Sequence, residues 1–117
     1  MARSDFAWVN FDVEFNGTTT EATRTFTVEG NPLNSGNGYL MIQAQDVERG
    51  NHRILINGQD LPSIDIPVQG GNNLMTTWMD RVPQSLLNSG QNRITIRRGD
   101  SENFTVFNVM VQWREQG

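Results

Sequence analysis

The chain has 117 residues, the size of one domain with one core, and carries no cysteine, so neither a disulfide framework nor a thiolate site is available to it. Its nine basic side chains are all arginine and stand against thirteen acidic ones, a net charge of -4 that disfavours a phosphate backbone and hence a nucleic-acid partner. The hydrophobic share is only 36%, but it falls in short patterned runs, which predicts a folded chain, 1–117 as one unit.

The first residues, Met1-Ala2-Arg3-Ser4-Asp5, lack the charged and apolar regions of a secretory leader. No apolar run approaches the roughly 20 residues of a membrane-spanning helix, so no membrane partner is expected. The expectation is a cytoplasmic chain when synthesised, with secretion open if a leader has been removed.

Residues 7–15 alternate with period two, Val9, Phe11, Val13 and Phe15 on one face and Trp8, Asn10, Asp12 and Glu14 on the other, as in a half-buried strand. Turn formers at 16–20 and a threonine-rich run at 23–28 predict a second strand, pairing with the first as a hairpin. Residues 30–38 are nearly all turn formers and read as a connection. Residues 39–47 alternate again, with Leu40, Ile42 and Ala44 inward and Met41, Gln43 and Gln45 outward.

A turn at Arg49-Gly50-Asn51 precedes a short strand at 53–56, which ends at Asn57-Gly58, a dipeptide suited to a tight turn. Residues 61–66 resume strand character, bounded by Pro62 and Pro67, and 69–73 form another turn cluster. The segment 74–82 has strand composition in two competing phases, one burying Thr76, Trp78 and Val82, the other Met75, Thr77 and Met79. Residues 83–90 read as a single helical turn begun by proline and ended at Gly90. Residues 92–97 alternate, 99–103 turn, and 104–114 close the chain as a long strand. In that strand Phe104 and Val106 share one parity and Phe107, Val109, Val111 and Trp113 the other, so a β-bulge is expected near Val106 or Phe107.

About eight short antiparallel strands, one helical turn and no helix long enough for a parallel crossover predict an all-β jelly-roll sandwich. Two elements sharpen this. Gly50-Asn51-His52-Arg53-Ile54-Leu55-Ile56-Asn57-Gly58-Gln59-Asp60-Leu61 and Leu86-Leu87-Asn88-Ser89-Gly90-Gln91-Asn92-Arg93-Ile94-Thr95-Ile96 resemble, in order, a strand-turn and a following element of galactose-binding-like jelly rolls, and 104–111 is similar to their closing strand. The resemblance spans about residues 39–113 and leaves out the N-terminal strands. It implies carbohydrate-binding-module-like roles, or adhesion and assembly, without naming a site.

Trp78, Asp80 and Arg81 form the most suggestive cluster for a ligand, since an indole face beside a carboxylate and a guanidinium can stack on a sugar ring and bond its hydroxyls. The same residues can equally be core and surface charge. His52, the only histidine, sits in a polar turn and joins them as a candidate at one end of the sandwich, its alternative role being a hydrogen-bonded turn residue. Asp46, Glu48, Asp100 and Glu102 offer oxygen ligands for a structural calcium, but their spacing is not that of a calcium loop, and no cofactor is expected.

No triad order, paired-glutamate signature or phosphate loop is present, so an enzyme is not expected. Trp8, Tyr39 and Met41 lie on outward parities and would mark a partner surface if adjacent. The expected function is a non-catalytic binding module for a carbohydrate or another protein. The alternative is a structural protein that assembles into a homo-oligomer or a larger particle.

Overall fold

The structure, a computed structural model, describes residues 3–61, 66–68 and 74–116. Its strands are β1 (Arg3–Phe15), β2 (Glu21–Val28), β3 (Asn37–Gln45), β4 (Arg53–Ile56), β5 (Gln59–Asp60), β6 (Met75–Pro83), β7 (Gly90–Arg97) and β8 (Phe104–Glu115), with one 3-10 turn at Gln84–Leu86. They form two antiparallel four-stranded sheets, ordered β1-β8-β3-β6 and β2-β7-β4-β5. This is the jelly-roll sandwich expected from the strand spacing.

The core lies between the sheets and follows the period-two pattern. Val9, Phe11 and Phe15 of β1, Leu40, Ile42 and Ala44 of β3, and Val109, Val111 and Trp113 of β8 meet Phe26 and Val28 of β2, Ile54 and Ile56 of β4, and Ile94 and Ile96 of β7. Each fully buried aliphatic or aromatic side chain contributes about 1.5–3 kcal/mol, which is how a chain so poor in apolar residues holds together.

The predicted β1–β2 hairpin does not form. β1 pairs with β8 and β2 with β7, so the 16–20 loop carries the chain from one sheet to the other. Asn16 makes that passage: its Oδ1 accepts the amides of Thr18 and Thr19, both at 2.9 Å, and its own amide donates to Thr19 O. A five-residue polar loop is free to arch over the core edge in a way that a two-residue turn is not. The hairpin turn proper is Asn57-Gly58, where φ is positive at both residues (50° and 82°), joining β4 to β5.

Strand character at 61–66 is only partly accounted for, because 62–65 lie outside the described residues, as does the 69–73 turn cluster. The strand after the Asn57-Gly58 turn is Gln59–Asp60, and Leu61 and Ile66 are buried. In β6 the phase burying Thr76, Trp78 and Val82 is the one adopted; Val82 is fully buried, Thr76 and Trp78 half-buried, while Met75, Thr77 and Met79 are exposed.

The bulge expected in the last strand is present at Phe107-Asn108, opposite Gln43 between the Ile42–Val109 and Ala44–Val106 pairs. It leaves Phe107 half-buried beside the core parity of Val109, Val111 and Trp113 rather than on it. A second irregularity lies in β1, where Asp12 takes φ of 46° between the Asn10–Asn108 and Val13–Val106 pairs. Arg24, from the other sheet, donates to Phe11 O at 3.0 Å and sets its guanidinium 5.3 Å from the Phe11 ring centroid.

Candidate functional site

The register defines two ends of the sandwich. Arg3 pairs with Glu115 at the end where β1 begins and β8 finishes. Phe15 pairs with Phe104, Gln45 with Thr105 in the same sheet, and Arg97 with both Glu21 and Arg53 at the opposite end. The loops 16–20, 46–52 and 98–103 therefore gather away from the Arg3–Glu115 end. Between the last two lies a polar cleft of about 620 Å³ lined by Asp46, Glu48, Arg49, Arg98, Ser101, Glu102 and Asn103.

His52 organises this end. Its ring is buried and stacks on Phe104, centroids 4.1 Å apart. Nδ1 accepts the Gly99 amide at 3.0 Å, so the ring proton sits on Nε2, which lies 3.0 Å from Glu102 Oε1. Glu102 also receives the Glu48 amide, 3.2 and 3.1 Å from its two oxygens. The two loops are thereby tied through one carboxylate and one imidazole.

Arg98 braces the far wall, with Nε donating to Glu102 O at 2.8 Å and its amide to Thr20 O at 2.8 Å. Asp46 and Asn51 hold left-handed backbone (φ 66° and 65°), conformations that Asp and Asn tolerate better than other side-chain-bearing residues. Gly99 passes so close to Asn51 that a Cβ there would lie 1.7 Å from its carbonyl oxygen.

Chemically, the cleft offers three carboxylates and two guanidiniums around a floor fixed by hydrogen bonds, while Glu48, Arg49, Ser101 and Asn103 are exposed. Such an array accepts and donates hydrogen bonds in several directions at once, the requirement for a polyhydroxylated ligand. Of the four acids weighed for calcium, Glu102 is turned onto His52 and the Glu48 amide, and Asp100 Oδ2 lies 3.3 Å from Asn51 Nδ2. Among the described residues no three His, Asp or Glu side chains converge on a metal position.

The four residues singled out from the sequence do not converge. Trp78 and Asp80 are half-buried on the inward parity of β6, Trp78 packed against the core, whereas Arg81 points out beside Tyr39, because successive strand residues face opposite sides. Asp80 Oδ1 accepts the Arg81 amide at 2.7 Å. His52 lies at the loop end, whereas Asp80 pairs with Leu40, five residues or about 17 Å along β3 from Gln45. Sequence reasoning missed Arg49, Arg98, Ser101 and Asn103; the available signal was two polar turn clusters, 46–51 and 98–103, each closing a strand at the same end.

Eighteen chains of solved structures match this fold. A family 35 carbohydrate-binding module from an environmental isolate has a TM-score of 0.60 at 14% identity, over 91% of this chain and 85% of that one. Dimeric latent PorU from Porphyromonas gingivalis gives 0.70 at 10% identity, over 98% of this chain but 13% of PorU. An exo-β-1,3-galactanase from Phanerochaete chrysosporium, in complex with β-1,3-galactotriose, gives 0.52 at 18%, over 94% and 29%. The chain thus spans a small part of PorU and of the galactanase and most of the binding module, and these likenesses establish a galactose-binding-like jelly roll. No curated protein matches it in sequence. Residues 5–115 match the model of DUF7383, a family of unknown function, and the chain belongs to that family.

Proposed function

We propose that this chain is a non-catalytic carbohydrate-binding module that takes a neutral oligosaccharide in the loop-end cleft. The observation that carries the reading is the cleft itself: hydrogen-bonding groups of both kinds, held on a braced floor at the end away from the Arg3–Glu115 pair. β1 begins and β8 finishes at the opposite end, which leaves the cleft clear of both. Similarity of fold to a family 35 carbohydrate-binding module, over most of that module's length, supports the same class of ligand. Glu48 and Arg49 are the side chains assigned to ligand hydroxyls, with Asn103 and Ser101 completing the rim.

The test is calorimetric titration with a panel of neutral oligosaccharides, β-1,3-linked galactose included. The wild type is expected to bind at least one with a Kd on the order of 10 µM to 1 mM, between about -7 and -4 kcal/mol. Glu48→Ala and Arg49→Ala are expected to weaken it at least tenfold without lowering the melting temperature. A wild-type chain that responds to no glycan in the panel removes the proposal.

A further inference from the structure

The outward face of the β1-β8-β3-β6 sheet is unlike that of a solvated sheet. Register places its side chains in rows across the four strands: Phe6, Gln112, Tyr39 and Arg81, then Trp8, Met110, Met41 and Met79, then Asn10, Asn108, Gln43 and Thr77. Phe6 is 55% exposed, Trp8 60%, Tyr39 46% and Met79 52%, so the outward aromatics read from the sequence share one surface, with Met110 bridging Trp8 and Met41. Arg81 is the only charge in these three rows. Antiparallel sheets with one face in water normally carry polar side chains there, and an aromatic and methionine face of this breadth marks an association surface.

We propose that this face is a homodimer interface whose occupant is the same face of a second copy of the chain. Four strands about 4.8 Å apart and some nine residues of strand length give an accessible area on the order of 600–800 Å² per copy, the size that a stable interface requires. The rows are also self-complementary. A two-fold axis in the plane of the interface, parallel to the strands and between β8 and β3, lays β1 of one copy over β6 of its partner and β8 over β3. Phe6 then meets Arg81, Trp8 meets Met79, Met110 meets Met41, and the third row brings amides onto an amide and a hydroxyl.

These are cation–π, sulfur–aromatic and hydrogen-bonding combinations, and no like charges are opposed in the three rows. Aligned packing of two such faces tolerates the roughly 30° offset that sheet twist imposes. The same axis points both loop ends one way, so the clefts of the two copies would open on one side of the dimer.

Light scattering after size exclusion, from about 1 µM to 200 µM, tests this. The expected result is twice the chain mass, falling to a monomer in Trp8→Glu and in Met41→Glu, with dimer affinity at least 100-fold weaker and circular dichroism unchanged. Using both variants guards against the loss of fold in either one. Glu48→Ala, at the loop end, is expected to leave the dimer intact, which separates this result from any failure of the cleft to bind sugar. A wild-type monomer across the whole range overturns the inference, as does a dimer that both variants preserve. A monomer whose Trp8 fluorescence responds to oligosaccharide, with the response lost in Trp8→Phe, would overturn it by giving the face to a glycan.

Discussion

Asn92 is completely buried and spends its amide in four directions. Oδ1 accepts Asn57 Nδ2 at 2.9 Å and the Asn88 amide at 2.8 Å, while Nδ2 donates to Asn88 O and Gly90 O at 2.8 and 3.1 Å. Asn57 Nδ2 also reaches Leu86 O and its Oδ1 accepts the Arg93 amide, so the two sequence elements that resemble galactose-binding-like domains are bonded to each other. Each bond is worth about 1 kcal/mol net, and a buried partner left alone costs about 1–3 kcal/mol. Asn92→Leu should therefore lose about 3–4 kcal/mol in urea unfolding, the change appearing in the midpoint with an unchanged slope. The sequence marks Asn57 as a turn residue and Asn92 as the start of an alternating strand, but not their contact, which spans 35 positions. His52 repeats the point: it reads as a polar turn residue and is buried only because Glu102, 50 residues away, and Phe104 beyond it return to it. His52→Phe keeps a ring against Phe104 and removes both hydrogen bonds. It should cost about 2–3 kcal/mol and also weaken oligosaccharide binding in the cleft, since Glu102 loses its brace; an affinity unchanged beside a lowered melting temperature would separate the histidine from the site.

Elements were legible in proportion to the contrast between their two faces. β1 and β3 alternate strongly enough that their inward faces are readable from sequence, although β1 begins at Arg3 rather than at residue 7 and β3 spans Asn37–Gln45 rather than 39–47, whereas β6 offers threonine and tryptophan on one side and methionine on the other. Its phase was undecidable because the outer face of its sheet is itself apolar, which erases the signal that binary patterning relies on. The partner of β1 was misjudged for another reason: a threonine-rich strand after a turn says nothing about which sheet receives it. Close approach within the β1-β8-β3-β6 sheet gives the sharpest test at this scale. A Cβ at Gly38, the buried second residue of β3, would fall 2.2 Å from Gln112 O and 3.1 Å from Trp113 Cα, both backbone atoms of β8. Neither can move without parting β3 from β8, so Gly38→Ala should cost at least about 3 kcal/mol, far beyond the few tenths expected of this change in an open strand. Unfolding that resembled the wild type would mean that the two strands are not held so closely.

At the scale of the whole molecule, the order of strands governs how the chain must fold. β4 and β5 are the only sheet neighbours among the described strands that also follow one another directly in sequence; β1 pairs with β8, β3 with β6 and β8, and β2 with β7. Closing loops of this length costs entropy before any core contact repays it. The last strand, β8, lies between β1 and β3, and it supplies Phe104 to stack on Phe15 and Trp113 to lie 6.3 Å from Phe26 in the opposite sheet. Its C-terminal end is fixed by Gln84, whose amide bonds both the carbonyl and the N–H of Arg114, and by Glu115, buried and bonded to Trp113 Nε1 and Arg3. Native order in the β1-β8-β3-β6 sheet thus waits for the two ends of the chain to meet. Refolding followed by tryptophan fluorescence in stopped flow should accordingly take milliseconds to seconds, the range of all-β sandwiches, rather than the microseconds of locally connected folds. Deleting β8 should abolish cooperative unfolding altogether, because it removes the strand through which β1 joins the rest of its sheet. A fast refolding phase that carried the full amplitude, or a cooperative transition in the truncated chain, would show that the β2-β7-β4-β5 sheet assembles independently and that β8 is added to a core already formed.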